Sequence, residues 1–557
     1  MRIIRLELPE FKNLVDFALP SGSSDGQTTA KLDCDLPVLA ILGRNGAGKS
    51  NLLEALLSIF RDIDLGRRSA FPYKIEYECS GNTIVVDSLG DRTSVSVDLV
   101  DHERLSMTLK KLASSSPGLY RPRHVFGYYS GPSRRFSALF AEHQKRFYNQ
   151  LLKNEAPPLR TMFLARPEHS KFVLLALYSQ ESSADSPHMG FVRDELGLVG
   201  LDSVLFHLSR PPWAKGKPNA SLVSDFWGGR GTVRGFLEKL LSYSMCPLTT
   251  PKSRHEADGL YLYVPDEASL RSLRQSVGAD TAADFFSALE SMALSEVLKD
   301  VRIRVHHSRA GRGLTFSELS EGEQQLLTVL GLIEFTRSTE TLFLLDEPDT
   351  HLNPLWVSRY AALLSSVLGS DAGSCQVVMA THDPLAIADL ERRAVVILER
   401  SEGPASSLKA RSEFDLLETS DESTMDAPVG AVLAFHPDLE PRGLGVAGIL
   451  TSVFGLATTI DESTMLKIER KMELFAANHR SVEQELELDL LTTELSALGF
   501  NYEHQDPYQR EFSLALARRF RNLRNSLGPV DRRELDQSAD EMLDELLLGA
   551  GDEMRKG

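Results

Sequence analysis

The chain has 557 residues, of which 42% are hydrophobic and 25% charged, with a formal net charge of −17. This is ordinary globular composition with room for more than one domain, and it excludes collagen-like and wholly disordered chains. So acidic a chain also opposes nonspecific binding to DNA or RNA, and any nucleic-acid site has to be a local basic patch.

The opening stretch, MRIIRLELPEFKNL, alternates polar and apolar residues as a strand does and holds no signal-peptide core. Short alternating strands are expected over 1–20 and about 70–110, for instance Asn82-Thr-Ile-Val-Val-Asp87. Between them, Pro37-Val-Leu-Ala-Ile-Leu42 reads as a buried strand, followed by a glycine-rich loop and the helical pattern Asn51-Leu-Leu-Glu-Ala-Leu-Leu57. Residues 124–130 read as another core strand, and from about 135 to 295 the pattern turns mostly helical. Strand-like Val301-Arg-Ile-Arg-Val305 then precedes a helix near 321–337. A strand at Thr341-Leu-Phe-Leu-Leu345, a helix near 354–368, and strands at Gln376-Val-Val-Met-Ala380 and Ala394-Val-Val-Ile-Leu398 follow.

Strands alternating with helices predict an α/β fold with a largely parallel core. The two halves of that core, 1–134 and 300–400, flank a mainly helical insertion at 135–299. Residues 401–444 read as a solvated linker and 445–557 as a helical C-terminal extension. The pentapeptide Asp-Glu-Ser-Thr-Met occurs at 421–425 and 461–465 without a longer repeat around it. No stretch approaches the roughly 20 apolar residues of a bilayer span, so a cytoplasmic protein with no membrane partner is expected. Cys34, Cys79, Cys246 and Cys375 lack metal-ligand spacing and read as plain thiols.

Gly43-Arg44-Asn45-Gly46-Ala47-Gly48-Lys49-Ser50 fits the P-loop pattern G-x-x-x-x-G-K-[ST]. Its glycines let backbone wrap phosphates, and the N–H groups of the next helix N-terminus point at the anion. Lys49 is expected to reach the terminal phosphates of ATP and Ser50 to ligate Mg²⁺. In Leu342-Phe-Leu-Leu-Asp346-Glu347, four apolar residues end in two carboxylates. Asp346 is the expected metal partner and Glu347 the expected general base. Taken alone, the segment also reads as a strand end with solvated acids.

Leu319-Ser320-Glu-Gly322-Glu323-Gln-Gln325 resembles the ABC signature. Ser320, Gly322 and Glu323 open a helix, where backbone N–H groups favour phosphate, and a plain helix cap has a similar pattern. The resemblance implies that the phosphate bound there belongs to the ATP of a partner head. Thr381-His382-Asp-Pro384 resembles the ABC H-loop, which makes His382 the expected γ-phosphate contact. Glu347-Pro-Asp349-Thr-His351-Leu-Asn-Pro354 resembles the D-loop, with Asp349 and His351 expected at a head–head interface and His351 a weaker catalytic candidate. Phe126-Gly-Tyr-Tyr-Ser-Gly131 occupies the Q-loop slot without a glutamine, leaving Tyr129 or Ser130 as replacements or the contact absent.

These elements, in this order, resemble the SMC/RecF/OLD-like ABC ATPases, as do Lys49-Ser-Asn51 and Phe11-Lys-Asn13. Four strings are similar to the Septu antiphage ATPases (the PtuA type), including their retron-associated form. They are Tyr128-Tyr-Ser-Gly131, Phe226-Trp-Gly-Gly229, Ser320-Glu-Gly-Glu-Gln-Gln-Leu-Leu327 and Leu450-Thr-Ser-Val-Phe-Gly455. That resemblance implies a homodimer of ATPase heads or a higher oligomer that controls an HNH nuclease subunit of the PtuB type. In the retron form it also implies a reverse transcriptase and its multicopy single-stranded DNA. A RecF-like DNA repair ATPase without a nuclease partner is the first alternative and a transporter motor the second.

A nuclease centre of the TOPRIM kind needs a Glu and an Asp-x-Asp on strand ends. Glu399 ends a strand but no such Asp-x-Asp follows, so no nuclease centre is expected in this chain. Arg134-Arg135, Lys145-Arg146, Arg210 beside Pro211-Pro-Trp213, and Arg518–Arg524 read either as phosphate-binding faces or as solvated helix faces. Residues 535–548 read as an amphipathic surface helix or a partner-docking helix.

Overall fold

The computed structural model describes residues 1–20, 31–32, 36–100, 103–131, 135–152, 160–180, 187–214, 226–229, 231–250, 259–308, 313–336, 340–369, 374–400, 430–454, 459–476 and 481–498. The chain divides into two compact units, Met1–Ser407 with Ser423–Phe454, and Leu408–Glu422 with Gly455–Gly557.

The first unit begins with an antiparallel hairpin, β1 (Arg2–Phe11) and β2 (Leu14–Leu19), followed by β3 (Val38–Leu42) and α1 (Lys49–Leu65). Next come β4 (Lys74–Cys79), β5 (Asn82–Asp87), β6 (Ser94–Asp98), β7 (Arg104–Met107), α2 (Leu109–Ala113) and β8 (His124–Tyr129). A six-stranded antiparallel sheet takes the order β2-β1-β4-β5-β6-β7.

The residues after 135 form α3 (Ser137–Leu152), β9 (Met162–Leu164), α4 (His169–Tyr178), α5 (Pro187–Asp194), β10 (Leu198–Ser209), α6 (Gly231–Ser242), β11 (Met245–Thr250), β12 (Gly259–Val264), α7 (Glu267–Ser276) and α8 (Ala282–Leu294). They continue into β13 (Leu298–His307) and β14 (Gly313–Thr315). The helices expected here are present, but so is a five-stranded antiparallel sheet, β11-β12-β10-β13-β14, of which the sequence reading had only β13, at Val301–Val305. The reason lies in β10. Register shifts at Leu198/Gly200 and Leu201/Ser203 interrupt the alternation in its first half, where the buried apolar residues 198, 201 and 204 fall three apart, whereas 204, 206 and 208 alternate as in a regular strand. Because β13 pairs with β10, a boundary at 299/300 cuts through this sheet.

The remaining elements complete the head: α9 (Glu321–Thr336), β15 (Thr341–Asp346), α10 (Pro354–Ser358), α11 (Tyr360–Leu368), β16 (Cys375–Thr381), β17 (Val395–Arg400), β18 (Val432–Phe435) and α12 (Gly445–Ser452). The central sheet has seven strands in the order β18-β17-β3-β16-β15-β8-β9. All its pairings are parallel except β17 with β18. Every residue of β3, β15 and β16 is buried, which is why these strands read as continuous apolar runs.

Alternation still sorts their side chains. Leu39, Ile41, Leu342, Leu344, Val378 and Ala380 join a core with α1 and the six-stranded sheet. Val38, Ala40, Phe343, Leu345, Val377 and Met379 join a second core with α4, α9 and the insertion. The structure also corrects the end of the head. β18 pairs with β17 (Leu398 with Ala434), so the last part of the expected 401–444 linker is the sheet's edge strand. Helix α12 likewise lies in the first unit rather than in the extension.

In the second unit, α13 (Glu462–Ala476) and α14 (Val482–Ala497) form an antiparallel pair, with Arg470 on Glu487 (2.8 Å) and Lys467 on Glu494 (2.8 Å). The second Asp-Glu-Ser-Thr-Met copy starts α13: Asp461 Oδ1 accepts from the Ser463 hydroxyl (2.7 Å) and the Thr464 N–H (2.9 Å). Its first copy, Cys34, Arg134, Arg518–Arg524 and 535–548 lie outside the described residues. Among the described residues no helix is long and apolar enough to cross a membrane.

Candidate nucleotide site

Strand β3 ends at Leu42 and the chain turns through residues 43–48 into α1. Gly48 has φ +103°, and a Cβ there would lie 2.9 Å from Leu14 Cδ2 and 3.2 Å from the Asn13 amide, so the position needs glycine twice over. The N–H groups of the first turn of α1 face the loop they close, which is the geometry of an anion cradle. Lys49 is only 6% exposed, and its ammonium donates to the Gly43 carbonyl (2.6 Å) and less closely to that of Arg44 (3.4 Å). Burial lowers its pKa, against which Glu347, Asp346 and Asp349 pull upward.

Asn45 and Gly46 are exposed and Ala47 is buried. The Asn51 amide donates to Asn13 Oδ1, and Asn13 Nδ2 donates to the Gly46 carbonyl (3.2 Å). Arg135 donates to Asn51 Oδ1 and to Glu54. The turn between β1 and β2 and the entry to the insertion therefore clamp the P-loop helix from two sides. Arg135, read from sequence as one of a basic pair on a helix face, belongs instead to this clamp. The Arg44 guanidinium donates to the Phe454 carbonyl (3.1 Å).

Asp346 ends β15 fully buried, and neither carboxylate oxygen has a hydrogen-bond partner. Burial raises its pKa to about 6; the neighbouring Ser50 hydroxyl, Arg135 and Lys49 pull the other way. An orphaned carboxylate next to a serine hydroxyl suits a hard cation that takes oxygen ligands and keeps some of its water, so Ser50 and Asp346 fit Mg²⁺.

The parallel pairing of β15 with β16, Asp346 opposite Ala380, brings the residues that follow each strand together. Glu347 has φ +51° and its N–H donates to the Ala380 carbonyl (2.8 Å). His382 Nδ1 lies 3.1 Å from Glu347 Oε1. Beside them, the buried Asp349 accepts from the Thr381 hydroxyl (2.6 Å), which in turn accepts from the Asp383 N–H (2.9 Å). Burial raises the Asp349 pKa. Ser130 is tied to the same loop, its N–H to the Asp346 carbonyl (3.3 Å) and its hydroxyl to Thr350 (3.2 Å).

Ser320 caps α9 in a reciprocal box. Its Oγ accepts from the Glu323 N–H (3.2 Å), while Glu323 Oε2 accepts from the Ser320 N–H (2.7 Å) and hydroxyl (2.9 Å). The cap and the signature are thus one structure, and Glu323 serves the cap. Gly322 is needed for close approach, because a Cβ would lie 2.5 Å from the His351 carbonyl oxygen. His351 Nδ1 is 3.3 Å from Glu321. Among the described residues no hydrogen bond or ion pair joins 43–51 to 320–323.

The structure places the P-loop pattern, the acidic strand end and His382 near one another, and packs the signature-like segment on residues 348–351. Sequence reasoning did not assign Asn13, Arg135, Gln325 or Thr381 to the site. Asn13, Gln325 and Thr381 each lay within a quoted string, Phe11-Lys-Asn13, the signature and the H-loop, without a role of their own, and Arg135 stood only in a basic pair.

A phosphate cradle, a buried carboxylate beside a serine, and a glutamate–histidine pair on adjacent parallel strand ends are the parts of a P-loop ATPase site. Residues 132–388 match the family model described as "AAA domain, putative AbiEii toxin, Type IV TA system". The match begins beyond the P-loop and takes in the signature, Asp346, Glu347 and His382. Among solved structures, the chain is similar to the Smc head domain of Pyrococcus furiosus, with an extended coiled coil, bound to the C-terminal domain of ScpA. Identity is 13% and the TM-score 0.27, with 78% of this chain and 96% of that one covered, which adds nothing to the fold read from the sheet itself. No curated protein matches the chain.

Proposed function

We propose that this chain is the ATP-binding and ATP-hydrolysing head of an antiphage defence complex, that it works as a pair of heads, and that it controls an HNH nuclease held in trans. The observation that carries the two-head part is the placement of Ser320 and Gly322. Gly322 packs on the carbonyl of its own His351, neither residue bonds to its own P-loop among the described residues, and Ser320 is capped but exposed to solvent. A second head supplies what one chain does not bring together.

In the chemistry that follows, residues 43–50 cradle the phosphates and Lys49 neutralises them. Ser50 and Asp346 hold Mg²⁺, which supplies charge neutralisation at the phosphates when bound. Glu347 accepts the proton of the attacking water as its oxygen bonds to the γ-phosphorus and the bond to ADP breaks, leaving ADP and phosphate. His382, fixed at its Nδ1 by Glu347, presents the opposite ring edge to the γ-phosphate. ATP binding sets the closed state and hydrolysis resets it, and ATP can shift that equilibrium only by its preference for the closed form.

The Septu-type partners, a PtuB-like nuclease and in the retron form a reverse transcriptase with its multicopy DNA, rest on sequence resemblance. The toxin–antitoxin wording of the matched family is in keeping with a defence role. Tagged chain co-expressed with its neighbouring genes tests this. Recovery of a small HNH protein supports the proposal. Recovery alone, with DNA-dependent ATPase activity, favours a RecF-like repair role instead.

A further inference from the structure

Gln325 lies one turn into α9, past Ser320 and Gly322, and is 5% exposed. Its amide Nε2 donates to the carbonyl of Pro348, the residue that follows Glu347. Its Oε1 is buried without a partner. A buried amide with one unmet acceptor costs stability relative to an apolar side chain of the same shape, so packing alone does not account for a glutamine here.

The contact falls where the backbone is least free. Glu347 sits in the left-handed region, which a non-glycine residue keeps only when its surroundings fix it. On its N-terminal side the Glu347 N–H is held by Ala380, and its own carbonyl accepts from the Thr350 hydroxyl (2.9 Å). Pro348 has no N–H, so its carbonyl is the only backbone hydrogen-bonding group that residue offers for fixing the chain just after Glu347. Gln325 takes that group. One turn earlier on the same helix, Gly322 rests against the His351 carbonyl. The helix opened by Ser320 therefore meets the loop that directly follows Glu347 at two points, by a hydrogen bond at 348 and by close packing at 351.

We infer that Gln325 is a positioning residue for Glu347 of its own chain, and that through it the engagement of Ser320 and Gly322 by a partner's ATP is passed to the chain's own hydrolytic centre. This rests on the two-head ATPase reading above. It also makes turnover at one site depend on occupancy of the other.

The test uses the full chain and the near-isosteric Gln325→Met, which removes the donor without opening a cavity. Steady-state ATP hydrolysis, ATP-dependent dimerisation and thermal melting are measured beside wild type, Lys49→Ala and Glu347→Gln. The expected result is a kcat lower by on the order of tenfold to a hundredfold, as for a small misplacement of a catalytic group. KM and ATP-dependent dimerisation should be unchanged, with the melting temperature unchanged or raised. A kcat equal to wild type overturns the inference while leaving the ATPase reading intact, as does a parallel loss of kcat, ATP binding and melting temperature. A wild-type chain that neither hydrolyses ATP nor dimerises with it overturns the reading and this inference together.

Discussion

His382 Nδ1 and Glu347 Oε1 lie 3.1 Å apart although 35 positions separate them in the chain. The parallel register of β15 with β16 sets this distance, because Asp346 opposite Ala380 makes the next residues neighbours at one end of the sheet. The ring is thereby oriented by the carboxylate proposed to activate water, and on that proposal the two act as one unit whose losses should not add.

Glu347→Gln preserves shape while removing the proton acceptor. Phosphate release is expected to fall by on the order of a hundredfold or more, with ATP binding retained. The variant should hold a dimer with ATP, read as a change in size by light scattering. No size change with ATP would argue against the paired-head mechanism.

His382→Ala should lower kcat, and the double variant with Glu347→Gln should be little worse than Glu347→Gln alone. Strictly multiplicative losses in a double-mutant cycle would show that the two residues work independently.

Asp346→Asn separates stability from function. The folded-state pKa of Asp346 is raised to about 6, above its ordinary carboxylate value, so the native state holds that proton more tightly than the unfolded chain. The contribution to stability is complete at low pH and is lost as pH rises through about 6. Near neutrality the ionised buried group is a cost of about 2–3 kcal/mol. The amide should therefore raise the melting temperature of the nucleotide-free protein by a few degrees at pH 7.5, with little effect at pH 4, while Mg²⁺-dependent hydrolysis disappears. Calorimetry at the two pH values decides this.

Gly322→Ala places a methyl group 2.5 Å from the His351 carbonyl oxygen. The loop or the helix must move, at a cost of about 1–3 kcal/mol. ATP-dependent dimerisation and turnover should both fall, while binding of a fluorescent ATP analogue to the single head is kept, because the P-loop is untouched.

Much of this site was legible because its chemistry is local in sequence. A phosphate cradle needs consecutive glycines and a lysine, and a buried parallel strand ending in acids needs an unbroken apolar run, as in Leu342–Leu345 before Asp346. The insertion was less legible. Register shifts in the first half of β10 break its alternation, and of the five-stranded sheet only β13, at Val301–Val305, was legible as a strand. The edge strand β18 was hidden for another reason. It is only four residues long and follows a polar stretch, so its pairing with β17 shows only in three dimensions.

The sequence by itself determined the class of fold, the order of its motifs and the residues of the glycine-rich loop, because each depends on residue type and short-range spacing. The tertiary structure alone decided which distant groups support them: Asn13 and Arg135 on the P-loop helix, Thr381 on Asp349, and Gln325 on Pro348. Those contacts join residues far apart in the chain through side chains with no required pattern. They exist because the sheet order and the packing of α9 on the strand ends bring them within hydrogen-bond reach.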